Sequence, residues 1–278
     1  MAKRKIKLLD TVALANDLPE RKLKRGEVGT VVEILAPDVF EVEFSDDDGQ
    51  TYAELALRDD QLKVAGVPRH ERAWIETIVE ETKHDLPPFD RYIFVVSRPA
   101  ITDYLTPEKK RRALEDIRKL AFEDLDCKVV VKLHPTERVA KNKDTLYEEV
   151  FGRDTYGKQW IYSSVHPFAL GNKSLFAVVF YSGVAVDMIA LGVVPIERLE
   201  VDTAPELAEA TREMIKDYRK RGLVLPAENY EDLKRHALAI IKNKEAVLER
   251  LKPGYKEFFG TTEDPIKLVA DDIVAVLQ

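Results

Sequence analysis

The sequence predicts an α/β protein, with a small all-β module at its start and a parallel-sheet domain after it. Short apolar runs such as YIFVVS at 92–97 and KVVVKL at 128–133 are typical of strands that are buried on both faces. Helical patterns separate these runs, and such alternation indicates a doubly wound, Rossmann-like parallel sheet. Before residue 66 the runs follow one another without helical patterns, which indicates a separate all-β module.

Residues 6–64 are predicted to form a small barrel of SH3-like size, with four or five strands. VFEVEF alternates apolar and acidic residues, which is the period of a half-buried strand. Asp48-Gly49 follows this run and indicates a hairpin, because a tight turn needs a positive φ that Gly adopts at low cost. The acidic run Asp46-Asp47-Asp48 is interpreted as a solvated hairpin tip rather than a metal loop.

A linker is expected at AGVP, and residues 69–83 have Trp74 and Ile75 at helical spacing among charges, which indicates an amphipathic helix. Proline ends this helix. The predicted organisation is a barrel at 1–66, a linker and connecting helix at 67–90, and a Rossmann-like domain at 91–278.

Within the Rossmann-like domain a helix is predicted over 106–125, with Thr106 as its N-cap and Pro107 at its first position. The run VAVDMIALG predicts another helix, which Gly192 closes. After residue 200 the pattern is mostly helical. Three further strands are predicted at 159–164, 176–180 and 193–197.

Composition excludes several classes of protein. The net charge of -7 and the pI near 5.5 argue against a nucleic-acid binder. The basic start MAKRKIKLLD precedes no long apolar run, so neither a signal peptide nor a transmembrane segment is expected. Cys127 is the single cysteine, which excludes an internal disulfide and makes the reducing cytoplasm the expected location. Because it precedes a β-branched strand, Cys127 is expected to be a buried structural thiol.

Polar groups stand where the predicted strands end, and ligands of open α/β sheets bind beyond the carboxyl ends of strands. Arg98 and Lys132 would supply positive charge to an anion, and His134 a hydrogen bond or a proton. Ser182 and Gly183 open a helix, where unpaired N–H groups hold phosphates. These strand ends therefore predict one anion-binding rim. Its polar residues are Ser97-Arg98, Lys132 with His134, Ser163-Ser164, and Ser182-Gly183.

Other polar residues have structural alternatives. Asp187 lies in an apolar helix and needs a partner, either a backbone amide or Arg, or else a ribose or sugar hydroxyl. His166-Pro167 repeats the His-Pro dipeptide in a loop, and Glu197 with Arg198 is interpreted as strand-end structure. The histidines do not cluster, and GxGxxG, P-loop, HExxH and GxSxG patterns are absent from the sequence. Neither a metal nor a cofactor is expected.

KVVVKLHPTE, followed by a strand and then by YSGVAVDMIALGVVPI, supports a resemblance to a known family. Residues 91–240 resemble the C-terminal donor-binding half of GT-B glycosyltransferases of bacterial capsule and surface-polysaccharide synthesis. The resemblance implies that His134 contacts the phosphate of a nucleotide donor, with Ser182 and Gly183. It also implies that Asp187 binds ribose, where the family usually has Glu. Residues 6–64 resemble a small family of uncharacterised bacterial SH3-like barrels.

The resemblance implies a CMP- or similar nucleotide sugar as the partner and capsule polysaccharide biosynthesis as the setting. A GT-B enzyme needs a second Rossmann-like domain for its acceptor, and the residues before 91 predict only a barrel and a helix. A partner protein or a homo-oligomer would then complete the acceptor site. The alternatives are a non-catalytic nucleotide or sugar-phosphate binding protein whose barrel recruits a partner, and an interaction protein with an empty site.

Overall fold

The computed structural model describes residues 5–8, 10–45, 50–139, 145–259, 270 and 274. The chain forms two compact units, Met1–Trp74 with Lys256–Gln278 and Ile75–Tyr255. The predicted Asp48-Gly49 turn, the acidic run Asp46-Asp47-Asp48 and most of the last helical pattern lie outside the described residues. Within the described residues, no helix has the length and apolar character needed to cross a membrane.

The first unit contains an antiparallel five-stranded sheet in the order β4-β3-β2-β1-β5. Its strands are Thr11–Leu14 (β1), Val28–Ala36 (β2), Val39–Ser45 (β3), Thr51–Arg58 (β4) and Leu62–Val64 (β5). The alternation of β3 sends Phe40, Val42 and Phe44 into the core and leaves Glu41 and Glu43 partly exposed, which confirms the half-buried strand. The antiparallel sheet is established, whereas an SH3-like barrel stays a prediction.

The second unit contains six parallel strands in the order β11-β10-β9-β6-β7-β8. They are Tyr92–Val96 (β6), Lys128–Lys132 (β7), Trp160–Tyr162 (β8), Ala177–Val179 (β9), Pro195–Arg198 (β10) and Leu225–Ala227 (β11). Numbered within this unit the order is 3-2-1-4-5-6, the doubly wound Rossmann order. The predicted parallel sheet is therefore confirmed. Only β11 was not predicted, because the three residues LPA carry no strand pattern.

The helices mostly begin and end where local signals place them. Thr106 Oγ1 accepts a hydrogen bond from the backbone N–H of Lys109 at 3.3 Å, which confirms the predicted N-cap. The predicted helical stretch EDLKRHALAIIKNKEAVLERL divides at Asn243, whose side chain caps a new helix by accepting from the N–H of Ala246. The helices described are Arg72–Glu81 (α1), Pro107–Lys119 (α2), Pro135–Val139 (α3), Leu146–Phe151 (α4), Pro167–Lys173 (α5), Val184–Leu191 (α6), Glu209–Lys220 (α7), Tyr230–Lys242 (α8) and Lys244–Phe259 (α9).

The core of the second unit is built on the buried central strand β6, in which all five residues are buried. Ile75 of α1 packs into the same core. Cys127 lies just before β7 and is buried, and its burial raises the pKa of the thiol to about 11. The prediction of a buried structural thiol is thus confirmed.

Candidate functional site

The central feature of the second unit is the switch point between β6 and β9. The chain runs from β6 outward to β7 and β8, and then returns to β9 on the other side of β6. Ligands of doubly wound sheets bind in the crevice that such a reversal opens at the carboxyl ends of the strands. The residues that follow β6, β7 and β9 are therefore the first candidates for a site.

The strand register places Arg98, His134 and Tyr181 at this edge, of which Arg98 and His134 were predicted from the sequence. Val96 pairs with Lys132 of β7 and with Val179 of β9, so the three strands end level. Arg98, His134 and Tyr181 each come two residues beyond that row. Since neighbouring strands lie about 4.8 Å apart, the turns after β7 and β9 are roughly 10 Å apart, with the end of β6 between them.

Arg98 is fixed in the middle of this edge. Its Nη1 donates to the backbone carbonyl of Tyr181 at 2.5 Å. Its guanidinium carbon lies 5.6 Å from the ring centroid of Tyr104 and 5.8 Å from that of Tyr181. An arginine has five N–H donors in a rigid fork, so this anchoring leaves further donors for an anion.

Tyr181 itself has a strained backbone, with φ at +50°. A bulky side chain rarely adopts this conformation, and such strain is concentrated at functional sites. The ring packs against Tyr104 and Tyr218, with centroids 6.0 and 5.3 Å away. Burial raises the pKa of Tyr181 to about 12. Sequence reasoning missed this residue, because no local pattern signals a positive φ on tyrosine.

The Ser182-Gly183 turn follows and starts α6. Ser182 Oγ accepts a hydrogen bond from the N–H of Val184 at 3.3 Å, which leaves its own O–H free to be donated. Gly183 is exposed, and a Cβ built on it meets no atom within 4 Å. Its φ of -57° is ordinary. Neither backbone conformation nor close packing thus requires glycine here, and the space above it is open.

His134 presents one ring nitrogen for a ligand. Nδ1 accepts from the N–H of Thr136 at 3.3 Å and lies 2.8 Å from that residue's Oγ1. A backbone N–H only donates, so the neutral ring carries its proton on Nε2. Burial lowers the pKa of His134; Glu137 opposes this and Arg98 adds to it. The imidazole is therefore neutral at pH 7 and offers Nε2–H as a donor.

A buried carboxylate lies directly behind His134. Glu137 Oε2 accepts from the N–H of His134 at 2.8 Å, and Oε1 accepts from Ser97 Oγ at 2.8 Å and Lys110 Nζ at 2.7 Å. Lys110 has no exposed surface, and its Nζ lies 4.8 Å from the ring centroid of Tyr147. Glu137 thus joins the ends of β6 and β7 to α2.

Sequence reasoning missed this network too. His134, Pro135 and Glu137 hold the N-cap, N1 and N3 positions of α3, and Glu137 supplies the half of a capping box in which the N3 side chain accepts from the N-cap N–H. Pro135 at N1 and Glu137 at N3 were available from the sequence as signals of a helix start. Lys110 carried no such signal, because it stands in the charged run PEKKRR of an amphipathic helix.

Two predicted site residues have other contacts. Lys132 Nζ donates to the carbonyls of Ser164 and Val165 at 3.0 and 2.9 Å, so it fixes the loop after β8. Asp187 lies in the first turn of α6, is 9% exposed and has a partner in the structure. Their predicted contacts with phosphate and ribose stay predictions.

The residues interpreted as structural fit that interpretation. Glu197 forms an ion pair with Arg219 at 2.6 Å, and Arg198 forms one with Asp116 at 2.8 Å. His166 Nδ1 accepts from the N–H of Phe168 at 3.2 Å and so caps α5.

A cavity of about 750 Å³ adjoins the His134 turn on the side of α2 and α4. This volume lies in the range of small-molecule sites. The cavity shares Thr136 and Glu137 with the surroundings of His134. Its lining residues are Pro99, Ala100, Ile101, Pro107, Glu108, Arg111, Arg112, Thr136, Glu137, Thr145, Leu146 and Glu149. Among the residues described, no cluster of His, Cys, Asp or Glu has the arrangement of a metal site.

The N-terminal part of the chain matches a known family model. Residues 8–64 match the model of a domain of unknown function, DUF4926. No protein of curated function matches the chain.

Among solved structures, the wall teichoic acid polymerase TagF is 14% identical, with a TM-score of 0.50 over 80% of this chain and 55% of that chain. The C-terminal CMP-Kdo binding domain of WaaA from Acinetobacter baumannii is 13% identical, with a TM-score of 0.44 over 67% of this chain and 98% of that chain. The UDP-GlcNAc 2-epimerase of Methanocaldococcus jannaschii, solved with UDP-GlcNAc and UDP, is 16% identical, with a TM-score of 0.48 over 79% and 56%.

The chain therefore spans only about half the length of TagF and of the epimerase. The likeness to TagF establishes the fold of the parallel-sheet unit as a Rossmann-like half of a GT-B fold.

Proposed function

We propose that the parallel-sheet unit binds a nucleotide-activated sugar, CMP-linked or similar, through its phosphates, in the cytoplasm. One observation carries this proposal: the strand register brings Arg98, His134 and the Ser182-Gly183 turn to one edge at the switch point. The edge offers a fixed guanidinium, a neutral imidazole N–H, a serine O–H and open space above a glycine. These groups suit a phosphate rather than a cation.

The biological setting that we propose is the synthesis of a capsule or related surface polysaccharide. One solved structure with which the chain shares its fold is that of a wall teichoic acid polymerase. The cavity beside Thr136 offers room for the part of the ligand beyond the phosphate. Asp187, in the helix that follows the Ser182-Gly183 turn, would bind the ribose.

As a glycosyltransferase, the protein would stabilise the departing phosphate while the sugar–phosphate bond breaks and an acceptor oxygen bonds to the sugar. Arg98 and His134 supply this stabilisation. The acceptor hydroxyl must also lose its proton to a base. Glu137 is the carboxylate beside His134, but it is buried, paired with Lys110 and accepts three hydrogen bonds, so it is poorly placed to act as that base.

The engagement of Glu137 favours a second candidate function. The protein would bind the nucleotide or sugar phosphate without turnover, as a regulatory protein whose N-terminal sheet recruits a partner. Incubation of a bound nucleotide sugar with candidate acceptor glycans separates the two functions. Appearance of free nucleotide and extended glycan supports transfer, and binding without product supports the regulatory role.

Calorimetric titration with CMP, CDP and UDP, free and sugar-linked, tests the binding proposal. His134→Ala is expected to lower the affinity for the nucleotide roughly tenfold, because one hydrogen bond to a charged phosphate is lost. His166→Ala is the matched control, since it has the same His-Pro dipeptide and the same Nδ1 contact. Absence of binding across the panel, or equal losses in the two variants, would contradict the proposal.

Gly183→Ala separates ligand space from folding. The added methyl group meets no protein atom, so thermal stability should stay unchanged or rise slightly. The affinity for nucleotide should fall several-fold, because the methyl group occupies the space proposed for the phosphate. Gly192→Ala, at the other end of α6, should do the opposite: its φ of +79° strains alanine, and the ligand is untouched. Equal affinity of Gly183→Ala and the wild type would argue against a phosphate at this turn.

A further inference from the structure

The network behind His134 combines full burial with opposite charges. Lys110 is 0% exposed and the Glu137 side chain 6% exposed, and they form an ion pair at 2.7 Å. Charges are rarely taken this far from water in the absence of a specific need. Glu137 contacts both the His134 turn and the residue after β6, so the pair adjoins the proposed phosphate site.

We propose that Glu137, with its charge balanced by Lys110, is the positioning residue that holds the His134 turn and the end of β6 in the geometry that binds phosphate. This inference rests on the proposed function, because it assigns a role within the same site.

The contacts explain how one carboxylate positions both phosphate donors. Its Oε2 holds the N–H of His134, and its Oε1 holds Ser97, the residue before Arg98. Ser97 Oγ also contacts the Tyr147 hydroxyl. The ring of Tyr147 packs on the Lys110 ammonium. If the carboxylate is removed, the two turns that carry Arg98 and His134 lose their common anchor.

Charge balance explains why a lysine accompanies it. A lone carboxylate beneath a phosphate would repel the ligand, and the repulsion would be strong where little water intervenes. The Lys110 ammonium cancels that charge. Buried ion pairs add little net stability compared with apolar residues of similar size. Positioning is therefore the property that the polar pair supplies and apolar side chains would not.

Two double variants isolate the hydrogen bond to His134 from the charges. Lys110→Met/Glu137→Met removes the ion pair and the acceptor of the His134 N–H. We expect it to fold, to exchange the His134 amide hydrogen at least tenfold faster and to bind the nucleotide about tenfold more weakly. Lys110→Met/Glu137→Gln also removes both charges but keeps an oxygen acceptor. It should retain slow exchange and an affinity within about threefold of the wild type.

A third variant is a control for the helix. Arg118→Met/Glu123→Met removes an exposed ion pair between Arg118, at the end of α2, and Glu123, which follows that helix. Such pairs contribute little, so exchange and affinity should be unchanged.

Rescue by the glutamine variant would not follow if the charges alone mattered. The inference is overturned if Lys110→Met/Glu137→Met folds and keeps slow His134 exchange. It is also overturned if Lys110→Met/Glu137→Gln shows the same fast exchange and weak binding as the methionine variant. If the methionine variant does not fold, Glu137→Asp decides with the same readouts, since it keeps a charge for Lys110 but shortens the reach to His134.

The exchange measurement needs no ligand. A wild type that binds no nucleotide would therefore refute the proposed function, while the role of Glu137 in holding the His134 turn would still be tested.

Discussion

Replacing Arg219 by methionine is expected to lower the free energy of unfolding by about 3–5 kcal/mol. Arg219 of α7 donates to Glu197 at 2.6 Å and to the carbonyl of Leu199 at 2.9 Å, and it also pairs with Glu228. Glu197 has no exposed surface, so without the guanidinium its carboxylate is a buried charge with no counter-ion. Glu228 keeps its bonds from the backbone N–H groups of residues 201–203 and should contribute little to the loss.

The loss in Arg219→Met should depend on pH in a definite direction. Burial raises the pKa of Glu197, and Arg219 opposes that rise. Without Arg219 the pKa rises further, so the folded variant takes up a proton more readily than its unfolded chain. The contribution of this carboxyl group to stability is then greatest below the ordinary value of 4.5 and is lost as pH increases. The gap between wild type and variant should therefore shrink on acidification.

Urea unfolding at pH 7.5 and pH 5 measures both effects. Lys220→Met, at the next position on the helix, removes only an exposed pair and should change stability by less than about 1 kcal/mol. The double variant Arg219→Met/Glu197→Leu should recover most of the loss, because no buried charge remains. A loss below about 1 kcal/mol in Arg219→Met alone would show that Glu197 does not depend on this partner.

Replacing Arg98 by methionine is expected to reduce nucleotide affinity roughly 30- to 100-fold, more than any other single change at the site. The guanidinium is the fixed positive charge at the switch point, and a charge-assisted hydrogen bond contributes about 1.5–3 kcal/mol. The variant also loses the bond that holds the strained Tyr181 turn, so the Ser182 side of the site loosens with it. Arg98→Lys should recover only part of the affinity, since lysine lacks the planar fork.

Arg91→Met provides the matched control for this change. Arg91 lies at the opposite end of β6 and donates to the carbonyl of Leu125 at 2.8 Å. Both variants remove one arginine beside the same strand, but only Arg98 is at the carboxyl edge. Calorimetry should show a large loss for Arg98→Met and none for Arg91→Met, and the affinity of the wild type should fall with added salt. Similar losses in both variants would indicate a general effect of charge.

Much of the fold follows from local patterns. The buried runs of β6 and β7 are apolar without alternation because both faces are covered, and this predicts a parallel sheet. Thr106 begins α2 through a hydrogen bond of its own side chain, and Gly192 ends α6 because its backbone adopts a positive φ. The carboxyl-edge location of Arg98, His134 and Ser182 also followed, since all strands of a parallel sheet end at the same edge.

Most strands and helices, and the end of the sheet that carries the polar residues, could be predicted from local patterns, because periodicity and capping depend on near neighbours in the chain. The contacts of those residues depend on how the elements pack. Lys132 was predicted to face an anion, yet its ammonium is held by two carbonyls from the next loop. The Lys110–Glu137 pair and the strained backbone of Tyr181 exist only because segments far apart in sequence pack together and share one desolvated space. The selection among side-chain partners depends on that packing, and no local pattern encodes it.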